Sequence, residues 1–376
     1  MANPAAIDRP LRILHVAGAR PNFMKIAPLM DAFRSEPVKQ ILVHTGQHYD
    51  ESLSRVFFDQ LRMPRPDFDL EVGSGSHAVQ TARIMLAFEP VLLETRPDLV
   101  FVVGDVNSTV ACSLVAAKMG IRVAHVEAGL RSSDWTMPEE INRVLTDRLS
   151  DLLFTTERSA NQNLAREGIP ADRVHFVGNV MIDTLIKHRQ RARALRMPER
   201  YEVPPGRFAL ATLHRPSNVD AAEPLGAIVD ALARIAQSVP VLFPVHPRTA
   251  LNLERFDMSP RLGAVRVVPP MGYLEFIGLA AEAAVVLTDS GGVQEETTVL
   301  GVSCLTLRQN TERPVTVSEG TNRLVPLETA AIAEAAEQTV AERPNGKPRR
   351  LPELWDGNAA RRIAAVVLDR ARSLDA

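Results

Sequence analysis

Residues 99–105 read LVFVVGD and residues 122–129 read RVAHVEAG, and the fold turns on these two runs. Apolar, largely β-branched residues in unbroken succession are what a strand covered on both faces requires. Each run ends at a turn and is followed by residues at helical spacing. The same unit recurs as RILHVAG, QILVHTG, DLLFTT and RVHFVGN, the pattern of βα units and a parallel sheet. After the basic helical stretch VMIDTLIKHRQRARALRMPE and a YEVPPG turn, the rhythm restarts with FALATL, PVLFPVH, VRVVPP, AAVVLTD and SCLTL. The chain is therefore read as α/β, with two Rossmann-like, doubly wound parallel-sheet domains. We place them at residues 1–180 and 205–355, joined by a linker at 181–204. Residues 356–376 carry apolar side chains at amphipathic-helix spacing and are expected to pack back on the N-terminal domain.

A chain of 376 residues, 45% hydrophobic and 23% charged, is long enough for two domains with sizeable cores. Its formal net charge of −2 is spread over mixed signs with no long basic run, which argues against nucleic acid or an anionic membrane as partner. Cys112 and Cys304 lack the spacing of a metal knuckle or a disulfide framework and read as buried core thiols. The opening MANPAAIDRPLRIL has neither a basic n-region nor a long apolar h-region, and no run reaches the roughly 18 apolar residues of a membrane span. A cytoplasmic protein is expected, with no metal and no bound cofactor.

In an open α/β sheet, ligands bind outside the carboxyl ends of the strands. Three carboxylates stand at such places: Asp105 after FVVG, Glu127 inside RVAHVEAG, and Glu139 in MPEEINR ahead of a helix. Clustered carboxylates suggest proton chemistry. Duller roles exist, Asp105 as a helix cap and Glu139 as a complement to a helix dipole; Glu127, between a strand and Gly129, has no routine job.

Anion-binding turns form a second group. In DSGGVQEE a strand ends at Asp289, and Ser290, Gly291 and Gly292 open a helix whose free N–H groups favour a phosphate. Glu295 and Glu296 follow, either reaching a ribose hydroxyl or standing as solvated complements to the helix dipole. In VAGARPNFMKIAPL, Arg20 can grip a phosphate through two donors, while Lys25 adds a point charge or is a plain surface cation. LHRPSNVD and PVHPRT put His214, Arg215 and His246 at strand ends. His214 suits proton transfer or donation to a leaving phosphate; His246 also reads as a satisfied loop histidine, as do His44, His48 and His77. The chain has no G-x-G-x-x-G after its first strand, no P-loop, no H-E-x-x-H and no nucleophile elbow, which argues against tightly held NAD, P-loop ATP chemistry and zinc proteolysis.

With GARPNFMKIAPL, GDVNST, HVEAGLRS, MPEEINR, LLFTTE, GNVMIDTL, LHRPSNVD, DSGGVQEE and RQNTERP in register from about residue 12 to about 370, the chain resembles the non-hydrolysing UDP-N-acetylglucosamine 2-epimerases. The resemblance implies a two-domain glycosyltransferase B fold with the active site in the interdomain cleft, a homodimer, and reversible conversion of UDP-GlcNAc to UDP-ManNAc for polysaccharide biosynthesis. It implies Asp105, Glu127 and Glu139 as acid–base carboxylates, with base and acid unassigned, and His214 at the leaving diphosphate. Arg20, Lys25, Arg215 and His246 would contact substrate, Ser290, Gly291 and Gly292 the phosphates, and Glu296 the ribose. Phe276 in YLEFIGL would lie near the uracil and Arg313 near sugar or phosphates. Rival readings are a glycosyltransferase of the same fold, a hydrolysing epimerase, an epimerase for a 3-acetamido or uronic acid derivative, and a non-catalytic nucleotide-sugar sensor.

Many members of the family carry His-Arg-Arg-Glu where this chain has His214-Arg215-Pro216-Ser217, and an Arg-Gln pair where it has Ser76-His77. Those positions form a second, regulatory UDP-GlcNAc site in the regulated members, although Gln47 and His48 in TGQHYD are retained. The rate should therefore rise hyperbolically with UDP-GlcNAc. A sigmoidal curve would contradict this.

Overall fold

The run LVFVV forms β4 (Leu99–Val103), buried at all five positions. The computed structural model describes residues 9–46, 58–342 and 351–372. β4 sits in a seven-stranded sheet with β1 (Leu11–Ala17), β2 (Val38–His44), β3 (Phe68–Asp69), β5 (Arg122–Ala128), β6 (Leu152–Thr155) and β7 (Val174–Phe176). The spatial order is β3-β2-β1-β4-β5-β6-β7, and every pairing is parallel.

A second, six-stranded sheet holds β8 (Ala209–Thr212), β9 (Val241–Pro244), β10 (Arg266–Val268), β11 (Val285–Thr288), β12 (Ser303–Thr306) and β13 (Asn322–Leu324). Its order, β10-β9-β8-β11-β12-β13, repeats the logic of the first, again with parallel pairs throughout. These are two Rossmann-like parallel sheets. In each the winding reverses once, between β1 and β4 and between β8 and β11, and such a switch point leaves a crevice at the carboxyl ends of the strands.

The apolar runs are unbroken because alternate residues feed cores on opposite faces. In the second sheet Ala209, Ala211, Val285 and Leu287 enter one buried cluster, while Phe208, Leu210 and Val286 enter the other. In the first, Leu14, Val16, Val100, Val102 and Val123 pack with Ile84, Phe88, Ala111 and Cys112 of the covering helices His77–Thr95 and Asn107–Lys118. Cys112 and Cys304 are both buried thiols.

The chain divides into two compact units, the first running to Thr184 and resuming at Glu353, the second spanning Leu185–Pro352. The first division falls inside the Val180–Ala194 helix, and the segment read from sequence as a linker is ordered: Met197 and Val203 are buried in a core of the second unit. In the first unit, Trp355 donates its indole N–H to the Thr156 carbonyl at 2.9 Å. Asp183 accepts the backbone N–H groups of Ala359 and Ala360 at 3.1 and 2.7 Å, capping the helix Ala359–Arg372. No helix among the described residues is long and apolar enough to cross a membrane.

Candidate active site

Glu127 occupies a backbone conformation that its side chain disfavours. Its φ is +74°, and it lies where the β5–β6 register slips between Val126 and Ala128. Such a bulge turns a side chain out of the pleat, and a non-glycine residue held there stores about 1–3 kcal/mol of strain. The carboxylate is buried and ion-paired with the Nζ of Lys25, itself buried, from the helix Arg20–Ala32. Gly104, φ +67°, lies alongside: a Cβ at that position would sit 3.0 Å from the Lys25 Nζ. The dihedral favours glycine, and a Cβ there would press on the end of the lysine side chain.

Asp105 follows Gly104 at the end of β4. It does not cap the next helix, whose N-cap is Val106. Its carboxylate pairs instead with Arg143, a buried residue that also pairs with Glu140. The Asn142 side chain donates to the Asp105 carbonyl at 2.9 Å and lies 3.2 Å from the Asn107 Oδ1. Asn22 secures the adjoining turn, accepting from the N–H groups of Gly18 and Ala19 at 2.9 and 2.8 Å and donating to the Val103 carbonyl at 3.2 Å.

Of the adjacent pair in MPEEINR, the structure gives the anchoring role to Glu140. Its oxygens accept from the backbone N–H groups of Ser132 and Ser133 at 3.0 and 2.9 Å, holding the preceding loop. Glu139 is half-buried in the first turn of the helix Pro138–Leu149, with no ion pair or hydrogen bond to its carboxylate among the described contacts. The backbone of Arg20 opens the Arg20–Ala32 helix; its side chain, like Gln47 and His48, lies outside the described residues.

In the second unit the switch point is built on Asp289, which is wholly buried. It accepts from the backbone N–H of His214 at 3.0 Å and of Arg215 at 2.9 Å, and pairs with the His214 Nδ1 at 3.0 Å. Burial works to raise this carboxyl, but the charge and hydrogen bond of His214 and the two backbone donors outweigh it and hold the group below its ordinary value. His214 is left with Nε2 as its outward nitrogen. The His246 ring lies 5.9 Å away, with its Nδ1 accepting the Arg248 N–H at 3.3 Å.

Ser290 is the N-cap of the helix Gly291–Leu300, and Gly291 and Gly292 supply the first of its free N–H groups. Arg313 reaches this helix start, since a Cβ on Gly291 would stand 2.5 Å from its Nη1. Arg313 is fixed by Glu295 and Glu312, both at 2.7 Å. Glu312 also binds Arg215 at 3.2 Å and Arg308 at 2.8 Å. One buried carboxylate thus gathers three guanidinium groups.

Glu295 and Glu296 are buried, which removes the reading of them as solvated. Burial pushes the Glu296 carboxyl up to about 8; the Tyr273 hydroxyl partly offsets this and the Glu295 charge adds to it. Phe276 is half-buried against the core of Met197, Phe208 and Leu210. Among the described residues no group of three or more His, Cys, Asp or Glu could hold a metal ion.

Sequence reasoning passed over Arg143, Asp289 and Glu312. Arg143 stands three residues beyond Glu140, one helical turn on, which is a readable signal. Asp289 was visible only as the end of a strand, and nothing in TERP distinguishes Glu312 as a hub.

Two Rossmann-like parallel sheets, each with buried carboxylate–cation pairs at its switch point, define an α/β enzyme of the nucleotide-sugar class. The chain belongs to the UDP-N-acetylglucosamine 2-epimerase family, whose model matches residues 31–368. It is 40% identical over 371 residues to the UDP-N-acetylglucosamine 2-epimerase of Methanocaldococcus jannaschii, covering 95% of this chain and 99% of that one. The crystal structure of the M. jannaschii enzyme in complex with UDP-GlcNAc and UDP superposes with a TM-score of 0.89 at 39% identity, over 96% of this chain and 100% of that chain. The chain is also 42% identical over 336 residues to the UDP-2,3-diacetamido-2,3-dideoxy-D-glucuronate 2-epimerase of Pseudomonas aeruginosa, covering 88% of this chain and 93% of the relative.

The state of Glu296 fixes a stability trend. From an ordinary value of 4.5 the folded group rises to about 8, so between these values the folded protein holds a proton that the unfolded chain has released. Its contribution to stability therefore falls as pH rises through that window, by at most about 1.4 kcal/mol per pH unit, and levels off above. Glu296→Gln should melt at a temperature that gains on wild type between pH 5 and 8.5; parallel melting curves across that range would refute the assignment.

Proposed function

We propose that this protein interconverts UDP-GlcNAc and UDP-ManNAc by eliminating and re-adding UDP. The observation that carries the reading is Glu127, a buried carboxylate held at positive φ at a sheet's carboxyl edge with Asp105 on the neighbouring strand end. The C2 hydrogen of a nucleotide sugar has no adjacent carbonyl and is too weakly acidic for direct removal. When the C1–O bond breaks, its electron pair leaves with the β-phosphate oxygen of UDP and C1 gains oxocarbenium character. A carboxylate then takes the C2 proton, and the C–H electrons form the double bond of 2-acetamidoglucal. Protonation at C2 from the opposite face and return of UDP to C1 give the epimer. Two protic groups at two faces are required, and Asp105, Glu127 and Glu139 are the candidates.

His214, Arg215, Arg313 and the Gly291–Leu300 helix start would receive the departing diphosphate, since preorganised donors stabilise developing charge. Lys25 and Arg20 would add to this. Glu296, a neutral buried carboxyl in the free protein, suits two ribose hydroxyls, with Phe276 near the uracil and His246 at the phosphate end. Retaining both glucal and UDP until readdition removes the entropy of a second encounter. A second reading has the same C2 chemistry on a diacetamido uronic acid derivative, favoured by the near-equal identity to the P. aeruginosa relative.

Proton NMR of UDP-GlcNAc with the protein in D2O should show UDP-ManNAc carrying deuterium at C2. Glu127→Gln should reduce the rate at least about a hundredfold, the ordinary loss for a general acid or base. Free ManNAc plus UDP would mean hydrolysis instead; no change with UDP-GlcNAc but turnover of a diacetamido uronic acid analogue would favour the second reading.

We also infer a homodimer. Val79, Leu86 and Leu93 recur every seven residues along the exposed face of the helix His77–Thr95, and Ile141 and Leu145 are exposed on the helix Pro138–Leu149. The Asn107–Lys118 helix packs against both, and exposed apolar side chains on its two neighbours support self-association. Light scattering after size exclusion should give twice the chain mass, and the double variant L86K/L93K should give one chain mass. A monomeric wild type would end this inference.

A further inference from the structure

Behind the carboxyl edge of the first sheet lies a buried polar cluster that the reaction above leaves unused. His125, two residues before Glu127 on β5, is 0% exposed, and Asp147 on the helix Pro138–Leu149 is 1% exposed. The His125 Nδ1 lies 2.7 Å from the Asp147 Oδ1, and its Nε2 lies 2.8 Å from the Gly104 carbonyl oxygen. Both neighbours are acceptors. A neutral imidazole has a single N–H, so its other nitrogen would press a lone pair against an oxygen at hydrogen-bond distance; only the imidazolium donates at both ends.

The second Asp147 oxygen accepts the Gly129 N–H at 3.0 Å and pairs with Arg131 at 2.7 Å, and Arg131 shares Glu167, exposed at the rim, also at 2.7 Å. With donors already on that oxygen, the Asp147 Oδ1 is the acceptor that faces the ring.

The cluster touches both turns that carry the acid–base carboxylates. Gly104 immediately precedes Asp105, and its N–H donates to the Val126 carbonyl at 3.1 Å, one residue before Glu127. Gly129 closes the other side of the bulge. The ring of His125 reaches the Asp105 turn, and its counter-ion reaches the Glu127 bulge.

We propose that His125 is a positioning residue, held as an imidazolium by Asp147, that fixes the Asp105 turn against the Glu127 bulge. The proposal rests on the epimerase reading of those two carboxylates. It treats the cluster as a clamp that touches no substrate.

The test combines nitrogen NMR of histidine-labelled, full-length protein with steady-state kinetics. In wild type both ring nitrogens of His125, assigned by their loss in His125→Gln, should carry protons at pH 7.5. Asp147→Asn keeps the side-chain shape and removes the counter-charge. One ring nitrogen should then lose its proton, and kcat should fall at least about tenfold while KM and UDP affinity change less than about twofold. Should that variant fail to fold, His125→Gln, which keeps a donor toward Gly104, should retain more kcat than His125→Ala. A wild-type ring with one bare nitrogen overturns the proposal, as does wild-type kcat in Asp147→Asn, or a loss of UDP affinity in step with kcat. If wild type exchanges no C2 proton, the epimerase reading is what has failed, and the nitrogen signals, which need no substrate, still decide the state of His125.

Discussion

The ion pair between Lys25 and Glu127 is the interaction on which the first unit's site depends. Glu127 sits at positive φ and buries a carboxylate, so both its backbone and its side chain are held against their preferences. Removing one partner of a buried pair leaves an uncompensated charge, a loss of about 3–5 kcal/mol. Lys25 enters from the helix after β1, while Glu127 stands on β5, and the turn after β4 lies between them. Only a sheet wound in the order β1-β4-β5 brings those segments together. Gly104 completes the arrangement, because a side chain there would occupy the path of the lysine. Topology, one glycine and one bulge thus decide where the Glu127 carboxylate is held.

The second unit uses the same topology to hold cations. Asp289, at the end of β11, receives the backbone of the residues that follow β8 and orients His214. Glu312 draws in Arg215, Arg308 and Arg313. Arg308 and Arg313 are buried with Glu312, and Arg215 is half-buried beside it. In the first unit cation and carboxylate are buried together in the Lys25–Glu127 pair, while the buried Arg143 holds the half-buried Asp105.

How far this could be read from the chain follows from what each residue type announces. LVFVV and the runs like it are legible because strands covered on both faces need no polar alternation, and Asp105 and Glu127 are legible because they close such runs. The choice between Glu139 and Glu140 was not. Both lie in the first turn of a helix, and the inward one is distinguished only by a loop whose N–H groups converge on it and by Arg143 one turn further on. Asp289 and Glu312 were hidden for the same reason: a buried anchor is defined by the donors around it, which come from segments distant in sequence. The stretch 185–204 shows helical spacing in the chain, but the burial of Met197 and Val203 in a core of the second unit does not follow from that spacing.

Donor count also separates the two kinds of buried carboxylate in the second unit. Asp289 and Glu296 are both taken out of water, and burial pushes each toward the neutral form. Asp289 collects two backbone N–H groups and the His214 ring, and stays below its ordinary value. Glu296 has the Tyr273 hydroxyl beside it and the charge of Glu295 opposing it, and rises to about 8. The difference arises from neighbouring charge and hydrogen bonding, not depth. A carboxylate whose acceptor sites are filled by its own fold is spent on holding that fold. One whose sites are left empty in a closed environment can be satisfied by donors that arrive with a ligand, and a vicinal diol brings two. The same physics that makes Asp289 an anchor leaves Glu296 free of that task, as the proposed contact with the ribose requires.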